Sequence, residues 1–334
     1  MTTMDDIIAV KMPWQDEQWH RIVDLHHKSR LPHAVLLAGE PGTGKHRFAL
    51  SLCHYLMCQS PVSELACGKC RQCQLLASGA HPDLKWLVSE EKSKQIKVGQ
   101  VRAVVDFLAH TSQQGGFKIA VVAPAEEMNI NAANALLKSL EEPAENTLLL
   151  LISDSPGQLL PTIRSRCQKV SFPVPPQALS LQWLETVVSG QIDKEHLLRE
   201  ASGQPLTALS MLSNDGLERR RHMNDDYQAM LEGRTSPLGV AAGWLGYDLG
   251  EILGWLNKLL SELVKIKMSS EPSKLDGKSR AAWDRIVQKV DTRMVFALQD
   301  SVQSVIQSLA RGGNPNQQLV LEQLLLESCE KFNS

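Results

Sequence analysis

The stretch Gly39-Glu40-Pro41-Gly42-Thr43-Gly44-Lys45 lies between an apolar run, Ala34 to Ala38, and a helix-forming run from Lys45 through Leu56. That order constrains the fold more than any other feature of the chain. A glycine-rich turn between a buried strand and a helix aims backbone N–H groups at an anion, and the lysine adds a cation for phosphate. The apolar runs Leu84 to Val88, Lys118 to Val122, Leu148 to Ile152 and Lys169 to Phe172 alternate with helical stretches. Strands alternating with helices predict a parallel sheet covered by helices on both faces, an α/β fold with the loop at its strand tips.

The residues that would let this loop hydrolyse a nucleotide are missing. The position after Lys45, where a Ser or Thr hydroxyl would contact Mg²⁺, is His46. Imidazole is a poor replacement, because Mg²⁺ demands hard oxygen ligands in a tight octahedron. The strand that should end in a metal-holding carboxylate, Lys118 to Val122, runs into Ala123-Pro124. Glu126 and Glu127 follow too late and read as a solvated helix start, where acidic residues suit the helix dipole.

Four of the seven cysteines cluster, as Cys58 followed by Cys67-Gly68-Lys69-Cys70-Arg71-Gln72-Cys73. Two-residue gaps let successive thiolates reach one tetrahedral ion, with Gly68 easing the bend, and four sulfurs leave no place for water. The pattern predicts a structural zinc module at about residues 58–73. Cys53 and His54 share a helix with Cys58 and stand as competing ligands, although Cys53 should face the core with Phe48, Leu52 and Leu56. His81 reads as part of the approach to the strand Leu84 to Val88. A redox use of the Cys-x-x-Cys pairs would leave the further cysteines unexplained.

Three ordered landmarks carry a resemblance: Asn134-Ala135-Leu136-Leu137-Lys138-Ser139-Leu140-Glu141-Glu142-Pro143, the strand Leu148 to Ile152, and Pro161-Thr162-Ile163-Arg164-Ser165-Arg166-Cys167. Together they resemble the AAA+ modules of bacterial clamp loaders, and most of all a subunit of the DNA polymerase III loader that keeps the fold without being a competent ATPase. In Ala201-Ser202-Gly203-Gln204-Pro205-Leu206-Thr207-Ala208-Leu209 the place of the motor subunits' lid arginine is Leu206. The resemblance implies that Arg166, flanked by Ser165 and Cys167, reaches the ATP of a neighbouring motor subunit, and it also supports a four-cysteine zinc module. It further implies that Gly39, Gly42, Thr43, Gly44 and Lys45 form a vestigial loop in which ATP binding is weak or absent. Partners would be the gamma or tau motor subunits and the delta subunit, with the sliding clamp and primed DNA met through the assembly. An active ATPase using Glu126 or Glu127 is the competing reading.

The expected organisation is a phosphate-loop domain over 1–172 with its zinc module, a helical lid over 173–212 after Pro173-Val174-Pro175-Pro176, and an all-helical collar over 213–334. Helices are predicted at Leu179 to Val188, Lys194 to Ala201, Pro205 to Leu212, Leu245 to Met268, Ser279 to Val290, Arg293 to Leu309 and Leu319 to Lys331. The stripe Trp244, Leu245, Leu249, Ile252, Leu253, Leu256 and Leu260 has helical spacing, and Gly312 to Asn316 reads as a turn. Cys329 reads as a small core residue. The basic runs, Arg219-Arg220-Arg221 and Lys92, Lys94 and Lys97, read as solvated surface. A formal net charge of −2 argues against a chain that coats nucleic acid by itself. The acidic start, Met1 to Asp6, lacks the pattern of an export signal, and the expected location is cytoplasmic.

Overall fold

The structure, a computed structural model, describes residues 9–89, 95–268, 283–288, 290–310 and 313–333. The readings of Met1 to Asp6, Lys92, Lys94, Gly312 and part of the Ser279 to Val290 helix lie outside the described residues. The chain divides into two compact units, Met1–Met211 and Leu212–Ser334.

In the first unit five strands form a parallel sheet among the described residues: β1 (Ala34–Gly39), β2 (Leu84–Val88), β3 (Lys118–Ala123), β4 (Thr147–Ser153) and β5 (Gln168–Phe172), in the order β2-β3-β4-β1-β5. β1 sits between β4, paired from Ala34 opposite Leu149, and β5, paired as far as Gly39 opposite Phe172. All but the last residue of β1 are buried, which is why it reads as a continuous apolar run rather than an alternating one. Its side chains still alternate between faces. Val35 and Leu37 pack with Trp19, Phe48 and Leu52 from α1 (Asp16–His27) and α2 (Lys45–Met57). Leu36 and Ala38 pack with Val101, Val104, Leu136 and Leu140 from α4 (Val98–Ala109) and α5 (Ile130–Glu141). The short α3 (Arg71–Ala77) belongs to the cysteine-rich insertion, and α6 (Pro161–Arg164) precedes β5. Three helices follow: α7 (Gln177–Val187), α8 (Lys194–Glu200) and α9 (Pro205–Ser213).

The second unit is helical: α10 (Gly216–Leu231), α11 (Pro237–Gly243), α12 (Leu249–Met268), α13 (283–288), α14 (Thr292–Ala310) and α15 (Gln317–Asn333). Its core gathers Tyr227, Trp244, Trp255 and Trp283, with Trp244 and Trp255 edge to face at 5.5 Å. The Trp244 indole N–H donates to Asp226 Oδ2 at 3.0 Å, so burying the ring leaves no orphan donor. The long helix starts at Leu249, later than the apolar spacing predicts, because a 3-10 turn over Trp244–Gly246 ends in extended Tyr247 and Asp248 then caps the Glu251 N–H. Leu245 is consequently 42% exposed instead of joining the stripe. Cys329 is partly buried against this core. Arg219 lies within reach of Glu251 at 3.5 Å and is half-buried, a departure from the solvated reading.

Asp83 is a buried charge of the first unit. Its carboxylate accepts from the Gln113 and Gln114 N–H groups, both at 2.9 Å, and from the Ser112 hydroxyl, with the Lys118 ammonium 3.5 Å away. Burial pushes its pKa up, but those donors and Lys118 outweigh it and hold the group below its ordinary value of 3.8. A folded-state pKa below the unfolded one gives stability that is complete above about pH 4 and lost as pH falls through the depressed value. Asp83→Ala, which leaves Lys118 buried and unmatched, should cost roughly 3–5 kcal/mol in urea unfolding at neutral pH. The difference from wild type should shrink as the medium is acidified.

Candidate functional site: phosphate loop, cysteine cluster and Ser-Arg-Cys turn

The loop stands at the C-terminal tip of β1, where Gly44 (φ +91°) leads into α2. Each of its glycines is already in use by the chain. A Cβ on Gly39 would collide with the Phe172 carbonyl across the β1–β5 pair. On Gly42 (φ +67°) it would collide with Thr207 Oγ1 and stand 2.9 Å from the Thr207 nitrogen, and on Gly44 it would stand 2.8 Å from Gln15 Nε2. Hydrogen bonds follow the same contacts. The Gly42 carbonyl accepts from the Leu206 N–H at 3.2 Å, and the Thr43 carbonyl accepts from Trp14 Nε1 at 2.9 Å and Gln15 Nε2 at 3.0 Å. Trp14 in turn meets Trp183 of α7 edge to face at 5.4 Å.

Lys45 is equally committed. Its ammonium donates to the Gly39 and Glu40 carbonyls at 2.7 and 2.6 Å and pairs with Asp154 Oδ1 at 2.5 Å, with its side chain only 2% exposed. Asp154 follows the last residue of β4, the strand beside β1, so a carboxylate of the chain itself balances the lysine. Asp154 escaped the sequence reading because the neighbour of β1 was not legible. The available signal was an acid placed directly after an apolar strand.

His46 is exposed, its ring nearly parallel to Trp86 at 6.3 Å. β3 ends without a carboxylate, at Ala123. Glu126 and Glu127 are not the solvated helix start expected for them. They occupy a half-buried 3-10 turn, and Glu126 Oε1 accepts from the Asp154 and Ser155 N–H groups at 2.8 and 2.9 Å. The physical reason is again the strand order: the β4 tip presents free N–H groups to the turn that leaves β3.

The cysteine cluster is assembled as the spacing implied. Cys58 caps the end of α2, Cys70 precedes α3 and Cys73 lies on it. The four sulfurs lie within 4.8 Å of one another, and Cys58 Sγ is 3.9 Å from Cys70 Sγ. Thiolates at about 2.3 Å from a tetrahedral zinc stand ~3.8 Å apart, so the set fits such a metal. The Cys67 N–H points at Cys58 Sγ (3.2 Å) and the Cys70 N–H at Cys67 Sγ (3.4 Å), with Gly68 at φ +69°. The Ser60 hydroxyl and the Lys69 and Cys70 N–H groups pull the Cys67 thiol down to about 5, while burial pushes Cys58 and Cys73 up. A cation among them would favour the thiolate at all four positions. Cys53 is fully buried in the α2 core, and His81 is occupied by Gln72 Oε1 and the Asp83 N–H, so neither joins the set. His54 accepts from the Ala9 N–H at 3.4 Å.

Ser165, Arg166 and Cys167 form the turn between α6 and β5. Ile163 and Cys167 are buried on either side of Arg166 and burial pushes the Cys167 thiol up to about 11, which suits a packing group. The Ser165 hydroxyl donates to the Thr162 carbonyl at 3.2 Å. The Arg166 guanidinium, 37% exposed, pairs with Glu141 Oε1 at 2.7 Å and donates to the Thr162 carbonyl at 3.1 Å. Arg164 is exposed.

A family model described as DNA polymerase III, delta subunit matches residues 14–176, and one described as its C-terminal part matches 214–329. A DNA polymerase III subunit delta' from Pseudomonas aeruginosa is 37% identical over 321 residues, 94% of this chain and 96% of its own. The Yersinia pestis subunit delta' is 36% identical over 259 residues, 76% of each chain. A solved gamma subunit-related protein from Thermotoga maritima aligns over 94% of this chain and 99% of its own, at 19% identity and a TM-score of 0.45. The first unit is a parallel α/β module with a glycine-lysine loop at its strand tips and a metal-capable four-cysteine insertion, and the chain continues into a helical part matched by the C-terminal model of the same DNA polymerase III class. The chain belongs to the DNA polymerase III subunit delta' family. Among the described residues no helix is long and apolar enough to cross a membrane.

If Gly42 is held for α9 as much as for an anion, Gly42→Ala should destabilise the protein in the absence of nucleotide. Forcing a Cβ into this left-handed position should cost about 1–3 kcal/mol. A thermal melt of nucleotide-free protein checks it, and an unchanged melting temperature would separate the loop from the fold.

Proposed function

We propose that this chain is a non-hydrolysing member of the clamp loader: it helps assemble the ring of subunits and supplies Arg166 to the ATP of the adjacent motor subunit. The observation that carries the reading is the pairing of two local facts. Its own loop has Lys45 bound by Asp154 and offers no hydroxyl after the lysine, whereas Arg166 stands on an exposed turn between buried Ile163 and Cys167, with a planar cationic fork. Glu126 gives one oxygen to the backbone of 154 and 155, which weighs against its acting as the base of an active ATPase.

The parts then act as follows. The α/β module, with a lid over 173–212, provides the surface that meets the gamma or tau motor subunits, and the 213–334 region packs with the delta and motor subunits as a collar. Zinc bound by Cys58, Cys67, Cys70 and Cys73 supplies a structural crosslink for an insertion with little apolar core. The sliding clamp and primed DNA are met through the whole assembly, in the cytoplasm. The guanidinium of Arg166 contacts phosphate oxygens in the fork geometry that lysine lacks, and stabilises the charge that develops as the γ-phosphoryl group departs.

In loader reconstituted with Arg166→Ala, ATP turnover at the adjacent motor subunit should fall about 10³-fold or more, with Arg166→Lys restoring little. The isolated wild-type chain with Mg²⁺ should hydrolyse no ATP above background. Full turnover by the mutant loader, or brisk turnover by the isolated chain, overturns the reading. Metal analysis of purified protein should give about one zinc per chain, and Cys70→Ser should release it and lower the melting temperature. A metal-free preparation with an unchanged melt would remove zinc from the account.

A further inference from the structure

The Arg166 side chain is held from another helix. Its Nη2 group pairs with Glu141 Oε1 at 2.7 Å and its Nη1 group donates to the Thr162 carbonyl at 3.1 Å. Glu141 is the last residue of α5, followed by Glu142 at the C-cap. Carboxylates there face the negative end of the helix dipole, an unfavourable place for them unless a cation answers. Arg166 is the cation that answers Glu141.

Both partners stand on fixed backbone. On the Glu141 side, Leu140 is buried and its carbonyl lies 3.0 Å from His33 Nε2, just before β1. On the Arg166 side, Ile163 and Cys167 are buried in the same core cluster as Leu140. An exposed arginine explores many rotamers, and ordering it at the moment of reaction opposes catalysis. The two contacts select one orientation and leave other N–H groups of the fork for an oxygen ligand.

We infer that Glu141 is the positioning residue for Arg166, orienting the guanidinium for phosphate oxygens presented by a neighbouring subunit. This rests on the reading of Arg166 as a donor to that neighbour. Glu141 touches no substrate; its effect passes through the arginine. A carboxylate held at one side of the fork keeps the side chain extended across the edge between α5 and α6, and its exposure of 51% leaves it free to yield when a more highly charged phosphate arrives.

The test is ATP turnover at the adjacent motor subunit in loader reconstituted with five versions of this chain: wild type, Glu141→Gln, Glu141→Asp, Arg166→Ala and the Glu141→Gln/Arg166→Ala double variant. Glu141→Gln, which keeps shape and loses charge, should lower kcat about ten- to a hundred-fold with KM for ATP unchanged, since misplacing a reacting partner by about 1 Å has effects of that order. Glu141→Asp should recover part of the rate. In the Arg166→Ala background the Glu141 substitution should have no further effect, because residues acting through one contact are not additive. A merely structural role would lower the melting temperature of the isolated subunit and persist in that background, and that result overturns the inference. So does a Glu141→Gln loader within two-fold of wild type while Arg166→Ala is inactive. Harmless Arg166→Ala is the separate outcome that defeats the donor reading itself.

Discussion

The pairing of β1 with β4 on one side and β5 on the other is the constraint on which the rest depends. β1 ends in the loop, β4 ends beside Asp154, and β5 begins directly after Arg166 and Cys167. A parallel sheet puts the C-terminal ends of all its strands on one edge, so the Lys45–Asp154 pair forms there. It puts the strand beginnings on the opposite edge, and the turn carrying Arg166 is found there against the end of α5. One sheet thus presents an occupied loop at one end and an exposed cation at the other. In the function proposed, that separation lets the subunit keep the first inert while offering the second.

The loop illustrates how a motif can serve the fold as well as a ligand. Glycines that could bring backbone close to phosphate here bring it close to Phe172, Thr207 and Gln15. The lysine is desolvated, and a buried ammonium needs its charge matched; two carbonyls and Asp154 do this without any ligand. Such a loop has packing reasons to stay glycine-rich whether or not it holds a nucleotide.

Much of the architecture was legible. Apolar runs marked the five strands because a parallel sheet is buried on both faces, and α7, α8, α9, α14 and α15 fall within two residues of the expected spans. The cysteine spacing was informative for the same local reason: Cys67, Cys70 and Cys73 are close in sequence and converge whatever the rest of the chain does. Local rules failed where a short-range signal competed with them. Leu245 matched the helical stripe but fell in a 3-10 turn, since Asp248 offered a better cap. Glu126 looked like a dipole-favoured surface acid, but the free N–H groups of residues 154 and 155 claimed it.

The sequence by itself determined the strands, the glycine-lysine turn, the lack of a hydroxyl at His46 and the grouping of four thiols, because each is a property of residues near one another along the chain. Only the tertiary structure decided which acids meet which cations. Asp154 lies far along the chain from Lys45, and Glu141 far from Arg166, and nothing in periodicity or composition ties either pair together. Strand order and helix packing bring them within hydrogen-bond distance, and electrostatics at short range then does the rest.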